Sequence, residues 1–183
     1  AKIYIYDDPQ GYQAATGQPA WSMGSVVPKD KVISAFPGIR GFFETILPHE
    51  IGHIIFREFV GFDNNSLPIW LDEGVACYQE KFRRPMAIKL VKDAIKENRF
   101  VSLEWLSNIS PQVMKDAQIV NLFYAEAISI VDYLIEEFGK ADFVFFCQAL
   151  RDKRNLEEAI RSSYPFENIK ELDAAWQRYL KYE

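Results

Sequence analysis

Apolar and polar residues alternate from Lys2 to Tyr6 with the period of a strand, and Asp7-Asp8-Pro9 closes it with a turn. A short helical stretch over Gln10–Ala15 is expected to stop at Gly17. Two further apolar runs, Trp21–Val27 and Val32–Phe36, flank Pro28-Lys29-Asp30 and read as a hairpin that Pro37-Gly38 ends. Residues 1–38 therefore predict a small antiparallel or mixed sheet.

From Phe42 onward the spacing changes to that of helices. Apolar positions at Phe42, Phe43, Ile46, Leu47, Ile51, Ile54 and Ile55 predict a helix to Val60, stopped by Gly61, in which Pro48 marks either a kink or a later start. After the loop Asp63–Ser66, helices are predicted over Leu71–Phe82, Pro85–Lys96 and Ser102–Ser107, with a connector opening at Pro111. A long helix over Ala117–Phe138 presents Val120, Phe123, Tyr124, Ala127, Val131, Leu134 and Ile135 on one broad face, and Gly139 ends it. Three more fit Ala141–Arg151, Leu156–Ser162 and Ile169–Tyr182. No repeat, linker or low-complexity tract interrupts the chain, so one α+β domain over residues 1–183 is expected, sheet first and helices from 39 on.

Composition narrows the function classes. Lys and Arg number 21 against 26 Asp and Glu, a net charge of −5, which is no footprint for nucleic acid. No uninterrupted apolar run approaches the roughly eighteen residues of a membrane span. The chain opens on Ala1 rather than Met, so a trimmed or processed product is expected. Two cysteines, Cys77 and Cys147, allow one bridge or two buried thiols, and thiols are favoured. The oligomeric state is left open by the sequence.

Histidine is the informative count. The chain has two, His49 and His53, both inside Leu47-Pro-His-Glu-Ile-Gly-His-Ile54. Their H-E-x-x-H spacing puts them one turn apart on one helix face, where both imidazoles can reach one metal ion. Glu50 lies on the adjoining side, placed to hydrogen-bond a water rather than to ligate. Imidazole nitrogen suits Zn²⁺, and a catalytic zinc site keeps one position open. A third ligand is offered by Glu73 in Trp70-Leu-Asp-Glu-Gly74, at the opening of the next predicted helix. Taken alone, Glu73 is equally a solvated carboxylate favoured by the helix dipole.

H-E-x-x-H followed about twenty residues later by W-L-x-E-G resembles the gluzincin metallopeptidases, the group of thermolysin-like enzymes and zinc aminopeptidases, and is most similar to small bacterial peptidase-MA-like domains. The resemblance runs from the hairpin to Trp176 and implies a gluzincin catalytic domain. It implies His49, His53 and Glu73 as zinc ligands, and Glu50 as the base that activates a zinc-bound water and then carries its proton. Glu80, seven after Glu73, and Asp72 are implied acceptors that orient the ligand histidines. The thermolysin-like pattern instead puts an Asp four after the ligand Glu; that position is Cys77, which is expected to pack. Phe123-Tyr-Ala-Glu-Ala127 is similar to the stretch in which a Tyr donates to the tetrahedral intermediate, and Tyr124 takes that place; Tyr133 is expected to pack.

The hairpin is expected to supply an edge strand along the cleft, with Met23, Gly24 and Ser25 as substrate-binding residues. It lacks the Glu with which zinc aminopeptidases capture a free amine, which argues for an endopeptidase. A peptide or protein is the implied substrate. Such domains are often exported or membrane-anchored, so an extracytoplasmic setting is expected. Two competing readings remain at this stage: a non-catalytic, zinc-containing binding or scaffold domain, and a zinc hydrolase of a non-peptide bond.

Overall fold

The structure, a computed structural model, describes residues 1–36, 41–80 and 82–182. Strand β1 (Lys2–Ile5) leads into helix α1 (Pro9–Thr16), and β2 (Gly24–Val27) and β3 (Val32–Ala35) form the expected hairpin. Asp8 caps α1 by accepting from the Gly11 N–H at 2.7 Å, Pro9 sets its first turn, and Gly17 ends it in the left-handed region. The sheet is mixed and ordered β1-β3-β2: β1 runs parallel to β3 in the register Ile3↔Ile33, while β2 is antiparallel, Gly24↔Ala35. Both β1 and β2 are therefore edge strands. The run from Trp21 becomes strand only at Gly24, and the Pro37-Gly38 stop lies outside the described residues.

Pro48 marks a later helix start rather than a kink. A π-helical turn over Phe42–Ile46 leads directly into α2 (Leu47–Val60), so the proline falls in the first turn of the α-helical stretch, where the register changes. Helices α3 (Ile69–Tyr78), α4 (Arg83–Lys96), α5 (Leu103–Asn108), α6 (Ala117–Phe138), α7 (Lys140–Lys153), α8 (Leu156–Ser163) and α9 (Ile169–Tyr182) follow. α3 starts two residues before the predicted Leu71 and stops well short of Phe82. Its last turn tightens, Gln79 and Glu80 donating to the Ala76 and Cys77 carbonyls at 3.1 and 3.0 Å. Glu73 thus lies in the second turn rather than at the helix opening, and Glu80 in a turn beyond the helix rather than on its face.

α6 is the central rod, capped by Asp116, which accepts from the Gln118 and Ile119 N–H groups, and packed against α3, α4, α7 and α9. It is the one helix among the described residues long and apolar enough to cross a bilayer, yet 72% of its apolar window is buried inside the protein. Tyr133 on it packs against Phe138 and Tyr179.

Two glycines set how closely the helices carrying the motifs approach. A Cβ at Gly52, inside H-E-x-x-H, would sit 3.1 Å from the Ala76 Cα on α3. A Cβ at Gly74 would meet the Ala127 carbonyl of α6 at 2.3 Å. Without side chains at these positions, α2, α3 and α6 nest tightly enough for Glu73 to meet the histidines of α2 on one side and Tyr124 on the other.

Candidate metal centre

α2 brings its two imidazoles together with ring centres 4.8 Å apart and Nε2 atoms 3.2 Å apart. What each ring does with its other nitrogen decides the chemistry. The Nδ1 of His49 is 3.0 Å from Glu80 Oε1, and the Nδ1 of His53 is 3.0 Å from Asp72 Oδ1. A carboxylate can only accept, so each Nδ1 carries the proton and donates it, and in the neutral ring each Nε2 then presents a lone pair. Glu73 Oε2 is 3.6 Å from both Nε2 atoms, too far for a hydrogen bond, and this buried oxygen has no hydrogen-bond partner among the described residues. With both rings neutral, three acceptors converge on one point with no donor among them. A cation at that point satisfies all three, and the two-imidazole, one-carboxylate donor set fits Zn²⁺.

The electrostatics point the same way. Burial works against charge on His53, but Asp72 and Glu73 outweigh it and hold its pKa up to about 9. Burial likewise opposes charge on His49; Cys77, Glu73 and Glu80 surround it, and its pKa lies well above the ordinary value. Burial also lifts the Cys77 thiol, which keeps it neutral, so the carboxylates are the partners that hold the His49 proton. Burial alone would raise Glu73, yet the two imidazoles override it and pull the carboxyl far below its usual range. The pocket is built to hold positive charge.

Cys77 Sγ lies 3.7 Å from His49 Nδ1, behind the ring and away from the converging atoms, and is buried and unpaired, as is Cys147. His49, Cys77 and Glu80 are close enough together to hold an ion of their own, but Arg83 Nη1 already stands 3.0 Å from Glu80 Oε1 on that side.

Glu50 points from the same helix into the same cleft, buried beneath β2. Burial is the leading influence on it and raises its carboxyl despite the pull of both imidazoles. A Cβ at Gly24 would fall 2.8 Å from Glu50 Oε1 and 2.7 Å from Ile46 Cγ2, so β2 passes directly over the carboxylate because residue 24 has no side chain. The strand is tied down from behind: Tyr12 and Ser22 share a hydrogen bond of 2.9 Å, and the Ser22 hydroxyl donates to the Gly24 carbonyl at 2.8 Å. Met23, Gly24 and Ser25 line the cleft of about 580 Å³ with His49, Glu50, His53, Glu73 and Tyr124.

Tyr124 enters from α6. Its ring meets Trp21 edge-on at 6.2 Å and lies under the Arg83 guanidinium at 5.1 Å. Burial, then the Glu73 carboxylate, raises its pKa far above the ordinary value, so the phenol stays a hydrogen-bond donor.

Arg57, Arg83, Tyr12 and Ser22 join the site without having been singled out from the sequence. Arg57 carried a readable signal, one helical turn past His53; the others depend on chain segments that meet only in the fold.

The model of the Peptidase MA superfamily matches residues 1–182. Neither the curated proteins nor the solved structures hold a significant match to the chain. With the family match spanning all but the last residue, and with this α+β architecture, the chain belongs to the peptidase MA superfamily as a gluzincin-like peptidase domain.

Proposed function

We propose that this chain is a zinc-dependent peptidase that cuts within polypeptides, acting as a single catalytic domain. The observation that carries the reading is the convergence of His49 Nε2, His53 Nε2 and the orphaned Glu73 Oε2 on one point, in a cleft that also holds Glu50. His49, His53 and Glu73 would hold the ion. When bound, Zn²⁺ supplies a Lewis acid that acidifies water and polarises a carbonyl.

The chain's own groups account for the remaining chemistry. Glu50 takes a proton from the attacking water as its oxygen bonds to the scissile carbonyl carbon. It then delivers that proton to the amine nitrogen as the C–N bond breaks. The Tyr124 hydroxyl donates to the oxyanion, a contribution of about 3 kcal/mol for a well-placed donor. Asp72 and Glu80 fix the tautomers of the two imidazoles. The β2 edge, unpaired on its cleft side among the described residues, accepts an extended substrate as a further strand. β2 carries no carboxylate to receive a free α-amine, which favours internal cleavage.

Metal content measured on purified variants tests the assignment. The wild type and Glu50→Gln are expected to bind one zinc each, and His53→Ala to lose it. Zinc retained at full affinity by His53→Ala would contradict the ligand set.

A further inference from the structure

Behind each of the two ligand histidines the hydrogen bonds continue one step past the carboxylate. Asp72 Oδ1 accepts from His53 Nδ1, and its Oδ2 accepts from Arg57 Nε at 2.8 Å, with Arg57 Nη2 at 2.7 Å. Arg57 stands one turn beyond His53 on α2, so a single carboxylate from α3 clips two successive turns of α2. On the other side, Glu80 Oε1 accepts from His49 Nδ1 and from Arg83 Nη1, both at 3.0 Å, and Glu80 Oε2 is 3.3 Å from the same Nη1. The order is the same in both: imidazole, carboxylate, guanidinium.

The need for the arginines is visible in burial and backbone. Asp72 and Glu80 are each only 8% exposed, so water cannot fully replace a lost partner. Glu80 also lies past the end of α3, where its N–H keeps a tight-turn bond to the Cys77 carbonyl but the regular helix no longer directs its side chain. Arg83, at the opening of α4, restrains it, and the same guanidinium lies over the Tyr124 ring.

Two effects of an arginine on such a relay oppose each other. Its charge drains negative potential from the carboxylate, which makes the imidazole a poorer ligand. Its hydrogen bonds fix the carboxylate, which aligns the imidazole. Charge-assisted hydrogen bonds to a buried carboxylate are roughly twice as strong as neutral ones, so alignment prevails.

We propose that Arg57 and Arg83 are positioning residues of the metal centre: each locks the carboxylate that aligns one ligand imidazole, and Arg83 also seats the ring of Tyr124. The inference rests on the zinc site proposed above. It also separates the two arginines. Arg57 presents two nitrogens to one oxygen, which lysine cannot reproduce, whereas Arg83 uses one nitrogen for both oxygens, which lysine can approach.

The experiment is zinc affinity by chelator competition for the wild type, Arg57→Ala, Arg57→Lys, Arg83→Ala and Arg83→Lys. Asp72→Asn and Glu80→Gln serve as references, and helical circular dichroism monitors the fold. Both alanine variants are expected to bind about tenfold more weakly, the lower end of what losing an outer partner of a ligand costs. Arg83→Lys should recover most of that loss and Arg57→Lys little. The Co²⁺-substituted protein gives a second readout, because a misaligned imidazole alters the visible ligand-field bands of the ion while a merely structural role leaves them unchanged. Should an alanine variant lose helical content, the lysine variant and its Co²⁺ spectrum decide for that position. Affinity within twofold of wild type, or tighter binding as charge alone would give, overturns the proposal while the zinc site stands. A wild type that takes up no zinc overturns both.

Discussion

At Gly24 a single missing Cβ sets the distance between the edge strand and the proposed base. Any side chain there would collide with Ile46 Cγ2 at 2.7 Å and Glu50 Oε1 at 2.8 Å, pushing β2 off α2 or rotating the carboxylate away. Gly24→Ala is therefore expected to destabilise the protein by about 1–3 kcal/mol and to reduce peptide turnover at least tenfold with zinc still bound. Urea unfolding, metal content and turnover of one preparation check this together; turnover equal to wild type would show that β2 does not form the roof of the cleft. Some of these residue-level facts were legible beforehand. His49, Glu50 and His53 lie on one helical turn, so periodicity alone relates them. Arg83 and Tyr124 are forty-one positions apart in sequence, and nothing local announces that guanidinium and ring will stack.

Elements divide by whether their ends are marked. α1 is capped by Asp8, opens on Pro9 and stops at Gly17, and α6 stands between Asp116 and Gly139, so both helices have chemically marked ends. α3 has neither a side-chain cap nor a glycine stop, and it lies at Ile69–Tyr78 rather than the predicted Leu71–Phe82. Glu80 consequently reaches His49 from a turn beyond the helix rather than from its face. The π-helical turn before α2 has no sequence signature at all. α6 carries a feature that its apolar pattern hid: Glu126 is fully buried, accepts from the Val101 N–H at 3.0 Å through Oε1, and leaves Oε2 without a hydrogen-bond partner. Burial, reinforced by Asp173, pushes its pKa up to about 8. Between the unfolded value near 4.5 and about 8 the folded protein holds a proton that the unfolded chain releases, so stability falls as pH rises through that window and levels off above it. The loss is on the order of 3 kcal/mol after allowing for relaxation around the charge. Glu126→Gln should flatten the profile without abolishing it, because burial raises Asp173 as well. Urea unfolding of both proteins at pH 5.5 and pH 8 measures the difference; parallel profiles would place the titration elsewhere.

Across the whole molecule, a small mixed sheet lies against a helical body whose core surrounds α6, and the cleft forms where sheet edge and helices meet. The α+β class was readable because the strand period of two is confined to the chain before Pro37, interrupted by one short helix, and only the helical period of 3.6 follows. How the layers meet was not, because it depends on bare backbone at Gly24, Gly52 and Gly74 approaching side chains and carbonyls from distant segments. The resulting cleft joins an edge strand, a buried carboxylate and a point that calls for a cation, and the central claim is that this combination hydrolyses peptide bonds. The most direct measurement is incubation of an unbiased peptide mixture with the zinc-loaded protein beside Glu50→Gln, with products read by mass spectrometry. Internal cuts made by the wild type and absent with Glu50→Gln are the predicted result. No cuts from a protein holding one zinc, or equal cutting by Glu50→Gln, would contradict the account.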